Sequence, residues 1–295
     1  MRKEPVRHHY IPQFILRNFA CDCDKRVVCY YDKESQSVLE HEIREVFMER
    51  NLYRDEINCQ DNPVQIEQDL SVYEREVAEL IKSKFLDKRK IELTEEEDSM
   101  LKLFFAIMSF RNINAKEQFG DKASKESKDF YKHFQGNEDL EDFWKRNLGH
   151  LVNCRSMKDV ANHPEIDPPI KWFMLRDTHS LFGKYVVVVE PKEGDGFILG
   201  DCYPLVIFGD PNRIPMYDVC TISPNRAIII ASRGVDHTPR DVLSLRPGVF
   251  DLPEINEKGN CVIITKRLLL DEVQFINREI EKNSRKGFIF YKEDL

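Results

Sequence analysis

The chain has 295 residues, 41% of them hydrophobic and 33% charged, with a net charge of −8. That apolar content supports a sizeable core and argues against disorder, while the acidic balance disfavours general nucleic-acid binding, which draws on a basic surface. The longest apolar run, residues 103–108, falls far short of the roughly 18 residues a membrane helix needs, so no membrane association is expected.

The opening MRKEPVRHHY lacks the apolar segment of a secretory signal, which predicts a cytoplasmic protein with reduced thiols. The cysteines do not suggest structural zinc: Cys21 and Cys23 form only a C-x-C, and the remainder are single. After His8 and His9, the Ile11-Pro12 step favours extended backbone, and residues 13–19 read as a short helix or turn. Residues 27–31 and 38–43 read as a β-hairpin around a turn at 32–37, followed by a helical turn at 44–48.

From Pro63 the period changes. Ile66, Leu70, Tyr73, Val77, Leu80 and Ile81 recur at helical spacing. Thr94 and Glu97 form a capping box, and the helix that follows is apolar nearly all round at 100–110, which predicts a central position. More polar helices are expected near 122–134, 140–153 and 158–163. Strands are then expected at 184–190, 197–199, 205–208, 226–232 and 262–265. Gly194-Asp195-Gly196, Asp210-Pro211-Asn212 and residues 221–226 read as turns, a helix covers 266–282, and a short strand closes at 288–291.

Helices and strands fall in blocks rather than alternating. This predicts an α+β fold, with a central, mostly helical region packed against a mixed or antiparallel β-sheet. The expected organisation is a single domain, 1–295, with an N-terminal arm and hairpin (1–60), a helical region (61–165) and a β-rich region with a C-terminal helix (166–295). No phosphate-binding glycine loop, nucleophile elbow or H-E-x-x-H motif is present.

Three groups of polar residues stand out. In HHYIPQFILRNF, neighbouring side chains of an extended segment point to opposite sides, so His8 and His9 cannot both face one site if the segment is straight. Either can act as a metal ligand or acid–base group, or be a histidine hydrogen-bonded within the core. Asp201, at the end of an apolar strand and just before Pro204, can bind a metal or substrate, or hold a turn. Glu67 and Glu74 share one helix face, and Arg111 ends the next helix; an ion pair between them is the simplest arrangement, against a cleft in which the carboxylates meet a metal.

The run HHYIPQFILRNF resembles the opening motif of the domain-of-unknown-function family numbered 4238, a bacterial family. Asn51-Leu52-Tyr53, the glutamates at 67 and 74, Phe110-Arg111-Asn112, Gly200-Asp201-Cys202-Tyr203-Pro204 and Ser223-Pro224 follow in the family's order, with one extra residue between Asp201 and Pro204. The resemblance implies a shared fold and shared polar positions, and it supplies no reaction.

The expected site therefore has His8, His9, Glu67, Glu74 and Asp201 as its reactive groups, with Tyr10, Arg17, Asn18 and Arg111 contacting a ligand. A binding or interaction role is the leading expectation, with a protein partner or a nucleic acid as its target. The alternatives are a nuclease-like phosphodiester hydrolase using a divalent metal ion, and a small-ligand sensor.

Overall fold

The computed structural model describes residues 6–21, 25–119, 124–136, 138–178, 183–192, 194, 196–208, 215–233, 235 and 243–291. Cys23, Asp195 and the Asp210-Pro211-Asn212 turn lie outside the described residues.

The N-terminal arm is a short strand, β1 (Arg7–His9), followed by a one-turn helix, α1 (Gln13–Leu16), entered through Pro12. The hairpin pairs β2 (Val27–Asp32) with β3 (Ser37–Glu42), and the Asp32 carboxylate holds its turn by accepting from the Glu34 backbone and the Ser35 hydroxyl. A fourth strand, β4 (Met48–Arg50), returns antiparallel to β1, with His8 opposite Glu49.

The helical region is organised by α2 (Gln65–Lys84) and α3 (Glu95–Arg111). All six apolar residues expected to line α2 are buried. The Thr94–Glu97 capping box forms in both directions, at 3.2 and 2.9 Å, and four acidic residues in the first turn of α3 complement the helix dipole. Residues 103–108 of α3 are buried all round, as expected of a central helix. Around it lie α4 (Ile113–Phe119), α5 (Lys125–Gln135), α6 (Leu140–Leu151), α7 (Met157–Asn162) and α8 (Pro168–Thr178). The Trp144 indole N–H donates to the Phe110 carbonyl at 3.0 Å, tying α6 to the end of α3.

A five-stranded mixed sheet faces these helices. With β5 (Lys90–Leu93) preceding α3, the later strands are β6 (Tyr185–Pro191), β7 (Leu199–Gly200), β8 (Leu205–Phe208), β9 (Pro215–Ser223), β10 (Arg226–Ala231), β11 (Glu254–Ile255), β12 (Cys261–Ile264) and β13 (Lys266–Leu268). The large sheet has the order β13-β6-β10-β9-β8, antiparallel except for β13 beside β6. Both its faces are covered, which explains why β6 and β10 are apolar without alternation. Val186, Val188, Ile228 and Ile230 join the helical core. Val187, Val189, Ile229 and Ala231 join a second core that contains Val273, Ile276 and Ile280 of α9 (Leu270–Asn283). The last strand, β14 (Gly287–Phe290), enters a four-stranded sheet of order β3-β2-β14-β7, joining the N-terminal hairpin to the end of the chain. This is an α+β architecture.

The chain departs from expectation in several places. Residues 266–268, read as the start of the last helix, form β13 because β6 pairs with them, and β4 follows the expected helical turn. Residues 90–93 form β5, whose partner β12 lies about 170 positions away, so no local signal marks it. Residues 168–178 are helical because proline is tolerated in a first helical turn, which extends helix into the region read as β-rich. Thr221-Ile222-Ser223 close β9 rather than forming a turn, leaving only Pro224 and Asn225 to reverse the chain. The strand expected at 197–199 is confined to Leu199–Gly200, where β14 supplies its partner.

Candidate functional site

The two histidines leave the strand in different directions, and both are buried. Nδ1 of His8 accepts the backbone N–H of Tyr53 at 2.9 Å, and the two rings stack with centroids 5.6 Å apart. On the other side, Nε2 of His9 faces the Ile43 carbonyl at 3.2 Å, so Nε2 must carry the proton. Its Nδ1 then accepts from the Gln13 amide at 3.3 Å, whose oxygen accepts from Arg17 at 3.0 Å. Burial is the main cause that lowers the His9 pKa to about 4, with the positive charges of Arg111, Arg17 and Arg7 adding to it, so the ring is neutral at physiological pH.

Tyr53 links the arm to the helices. It is fully buried, its hydroxyl donates to the Arg111 carbonyl at 3.2 Å, and the Arg111 guanidinium lies 5.8 Å from its ring centre. Arg111 is itself fully buried and approaches Glu74 at 2.6 Å. This contact is an ion pair whose angles leave the guanidinium nitrogens without a well-directed hydrogen bond among the described residues. Glu74 retains 22% side-chain exposure, so the pair opens to solvent on its carboxylate side. Glu67, one and a half to two turns earlier on the same face of α2, is also half-buried. Burial first, and then the neighbouring Glu74, push its pKa up to about 8 against the pull of Arg111. Burial likewise raises Glu74, opposed by Arg111. Two carboxyls on one face of α2 thus act on each other, and the one cation beside them, Arg111, is paired with Glu74.

Asp201 occupies a second polar centre. It is buried, and its two carboxylate oxygens accept the backbone N–H groups of Arg285 and Lys286 at 2.8 and 2.6 Å. It follows β7 directly and holds the turn that leads into β14. Tyr10 is buried against Phe47, and its hydroxyl pKa is raised by burial and then by the negative charge of Asp201, with Tyr30, Tyr53 and Glu49 contributing. Asn18 donates to the Ile222 carbonyl at 2.8 Å, fastening the arm to β9, and Arg17 bonds Gln13 at the surface.

His8, Tyr53, Arg111 and Glu74 are therefore joined by direct contacts, with Glu67 on the same face of α2 as Glu74. Asp201 is separately engaged, and Arg17 and Asn18 support the arm. Among the described residues, no three of His8, His9, Glu67, Glu74 and Asp201 bring ligand atoms within 4.8 Å of one another. In the hydrogen-bonding arrangement present, the Nδ1 lone pairs of both histidines are taken by protein donors and are not available to a metal. Tyr53, Gln13 and the Ile43 carbonyl were not among the expected site residues. Tyr53 acts through its backbone N–H, which leaves no mark on residue type, whereas Gln13 sits four positions after His9 and could have been found by that spacing.

A family model described as "Protein of unknown function (DUF4238)" matches residues 7–294, nearly the whole chain. No curated protein and no solved structure matches it. Among the described residues, no helix is long and apolar enough to cross a membrane.

Proposed function

We propose that this chain, which belongs to the DUF4238 family, is a binding module whose α2 carboxyls receive a positively charged side chain of a protein partner. The observation that carries this reading is the charge count on this face of α2: Glu67 and Glu74 lie two turns apart, Glu74 acts on Glu67 as a like charge, and the guanidinium of Arg111 is paired with Glu74. Glu67 is left beside a like charge without an ion-pair partner of its own among the described residues, and it keeps its proton up to about pH 8. A lysine or arginine docking on this face would supply the missing countercharge and release that proton. The net charge of −8 favours encounter with a basic partner. In this reading His8, His9 and Tyr53 hold the arm against the helices, Asp201 holds the turn into β14, and none of them reacts.

A second reading, hydrolysis of a phosphodiester, draws on the same carboxyl: a group that titrates near neutrality is suited to proton transfer. It requires metal ligands other than the two histidine Nδ1 atoms, which are already occupied.

Calorimetric titration with lysine- and arginine-rich peptides, against alanine-substituted and acidic controls, separates the two. A basic peptide is expected to bind the wild type with proton release below pH 8, and about tenfold more weakly to Glu67→Gln with no proton release. Equal binding by the variant, or no preference for basic peptides, overturns the proposal. Metal-dependent cleavage of DNA or RNA that disappears in Glu67→Gln would establish the second reading instead.

A further inference from the structure

We propose that His150, His163 and Glu165 form a transition-metal site, with zinc the ion whose ligand preferences they fit. The three side chains offer ligand atoms that all lie within 4.8 Å of one another. They come from three segments: His150 from the last turn of α6, His163 from the residue that ends α7, and Glu165 from the connection into α8. The imidazole rings are 5.1 Å apart, and Nδ1 of His150 lies 3.6 Å from the Glu165 carboxylate. Two imidazole nitrogens with one carboxylate oxygen suit zinc and its transition-metal neighbours; magnesium and calcium favour oxygen donors throughout. Three protein ligands leave a fourth tetrahedral position for water.

The backbone carrying Glu165 is held against α6 before any ion arrives. Asn147, fully buried one turn before His150, donates to the Asp167 carboxylate at 2.8 Å and accepts the Asp167 backbone N–H at 2.9 Å. This pair fixes the 165–167 segment against α6. Arg146 is a positive charge that acts on His150, and it is paired with Glu138 and Asp167 at 3.0 Å each, which limits its repulsion of an incoming cation. His163 at present accepts the Glu165 backbone N–H through Nδ1 at 3.3 Å. Coordination through either ring nitrogen gives up that long bond, since Nδ1 would be the ligand itself or would have to carry the proton. An ion here would join the end of α6 to the α7–α8 connection. The site involves neither Glu67 nor Glu74 and does not depend on the binding role proposed above.

The test uses the full chain after chelator treatment, titrated with Zn²⁺ by calorimetry and with Co²⁺ by visible spectroscopy. One zinc site is expected, with a Co²⁺ spectrum of nitrogen and oxygen ligation and a zinc-dependent rise in melting temperature. His150→Ala and His163→Ala should each weaken Zn²⁺ by about tenfold or more, and Glu165→Gln should weaken it to a lesser degree. All three side chains are half-buried or exposed, so the metal-free variants should keep the wild-type circular dichroism and melting temperature. Wild-type zinc affinity in both histidine variants, thiolate-to-cobalt charge-transfer bands, or no stoichiometric binding would each overturn the proposal, the second by placing the ion on cysteines.

Discussion

The backbone N–H of Tyr53 donates to Nδ1 of His8, and the two rings lie nearly parallel at 12°. One histidine therefore fixes the chain that follows β4 as well as the strand that contains it. His8→Ala removes the acceptor of a buried backbone donor and opens a space against the Tyr53 ring. A loss of about 3 kcal/mol in denaturant unfolding is expected. His8→Asn, whose side-chain oxygen can stand near the Nδ1 position, should recover part of it. Equal losses in the two variants would show that the hydrogen bond contributes little.

Asp201 plays the same part for the turn at 285–286, near the end of the chain. Its carboxylate accepts from two successive backbone N–H groups, and each charge-assisted bond of this kind contributes about 1.5–3 kcal/mol. Asp201→Ala should destabilise by about 3 kcal/mol and speed hydrogen exchange at Arg285 and Lys286 more than in the following strand, β14. Asp201→Asn has only one oxygen to offer and should lie between Ala and wild type. Unchanged exchange at those two amides would contradict this role.

Arg111 and Glu74 can be tested as a pair. Removing the guanidinium leaves Glu74 partly buried beside Glu67 with no countercharge, and breaking such a pair costs about 3–5 kcal/mol. Arg111→Met alone should therefore unfold much more readily than wild type. Combined with Glu74→Met it should recover most of the loss, because an apolar pair needs no solvation. A double variant no more stable than Arg111→Met would mean that Arg111 acts through contacts other than Glu74.

His9 predicts a loss of stability in acid. Its pKa is about 4 in the folded chain against 6.5 unfolded, so the folded state holds the neutral ring. That contribution is complete above about pH 6.5 and is lost as pH falls towards 4. In nuclear magnetic resonance, the His9 ring should stay in the neutral form with its proton on Nε2 down to about pH 5. A midpoint near 6.5 would show that burial and the nearby arginines do not act on it.

Much of this arrangement is legible in the sequence, for identifiable reasons. The α2 face, the Thr94 cap and the buried length of α3 follow from periodicity and short-range chemistry, and so does the separation of His8 and His9 to opposite sides. The Glu74–Arg111 pair follows from the cost of leaving either charge alone. What could not be read is long-range pairing. β5 depends on β12, β7 on β14, and Asp201 bonds a turn 84 positions later rather than its own. Tyr53 is hidden for another reason: its contribution to His8 comes from a backbone donor, which every residue but proline carries.

Glu67 gives the last prediction, with the opposite pH sign to His9. Its pKa is about 8 in the folded chain against 4.5 for an ordinary carboxyl, so the folded state retains a proton that the unfolded state releases. The stabilising effect of that proton is complete below about pH 4.5, declines as pH rises, and is gone above about 8. Glu67→Gln keeps the neutral shape at every pH. Its stability relative to wild type should therefore increase between pH 5 and 9, by about 2 kcal/mol once solvent screening at a half-buried site is allowed for. Because both proteins contain His9, the difference between their unfolding curves isolates Glu67. Parallel curves across that range would place its pKa near the ordinary carboxylate value, and this face of α2 would then already hold a second countercharge for it.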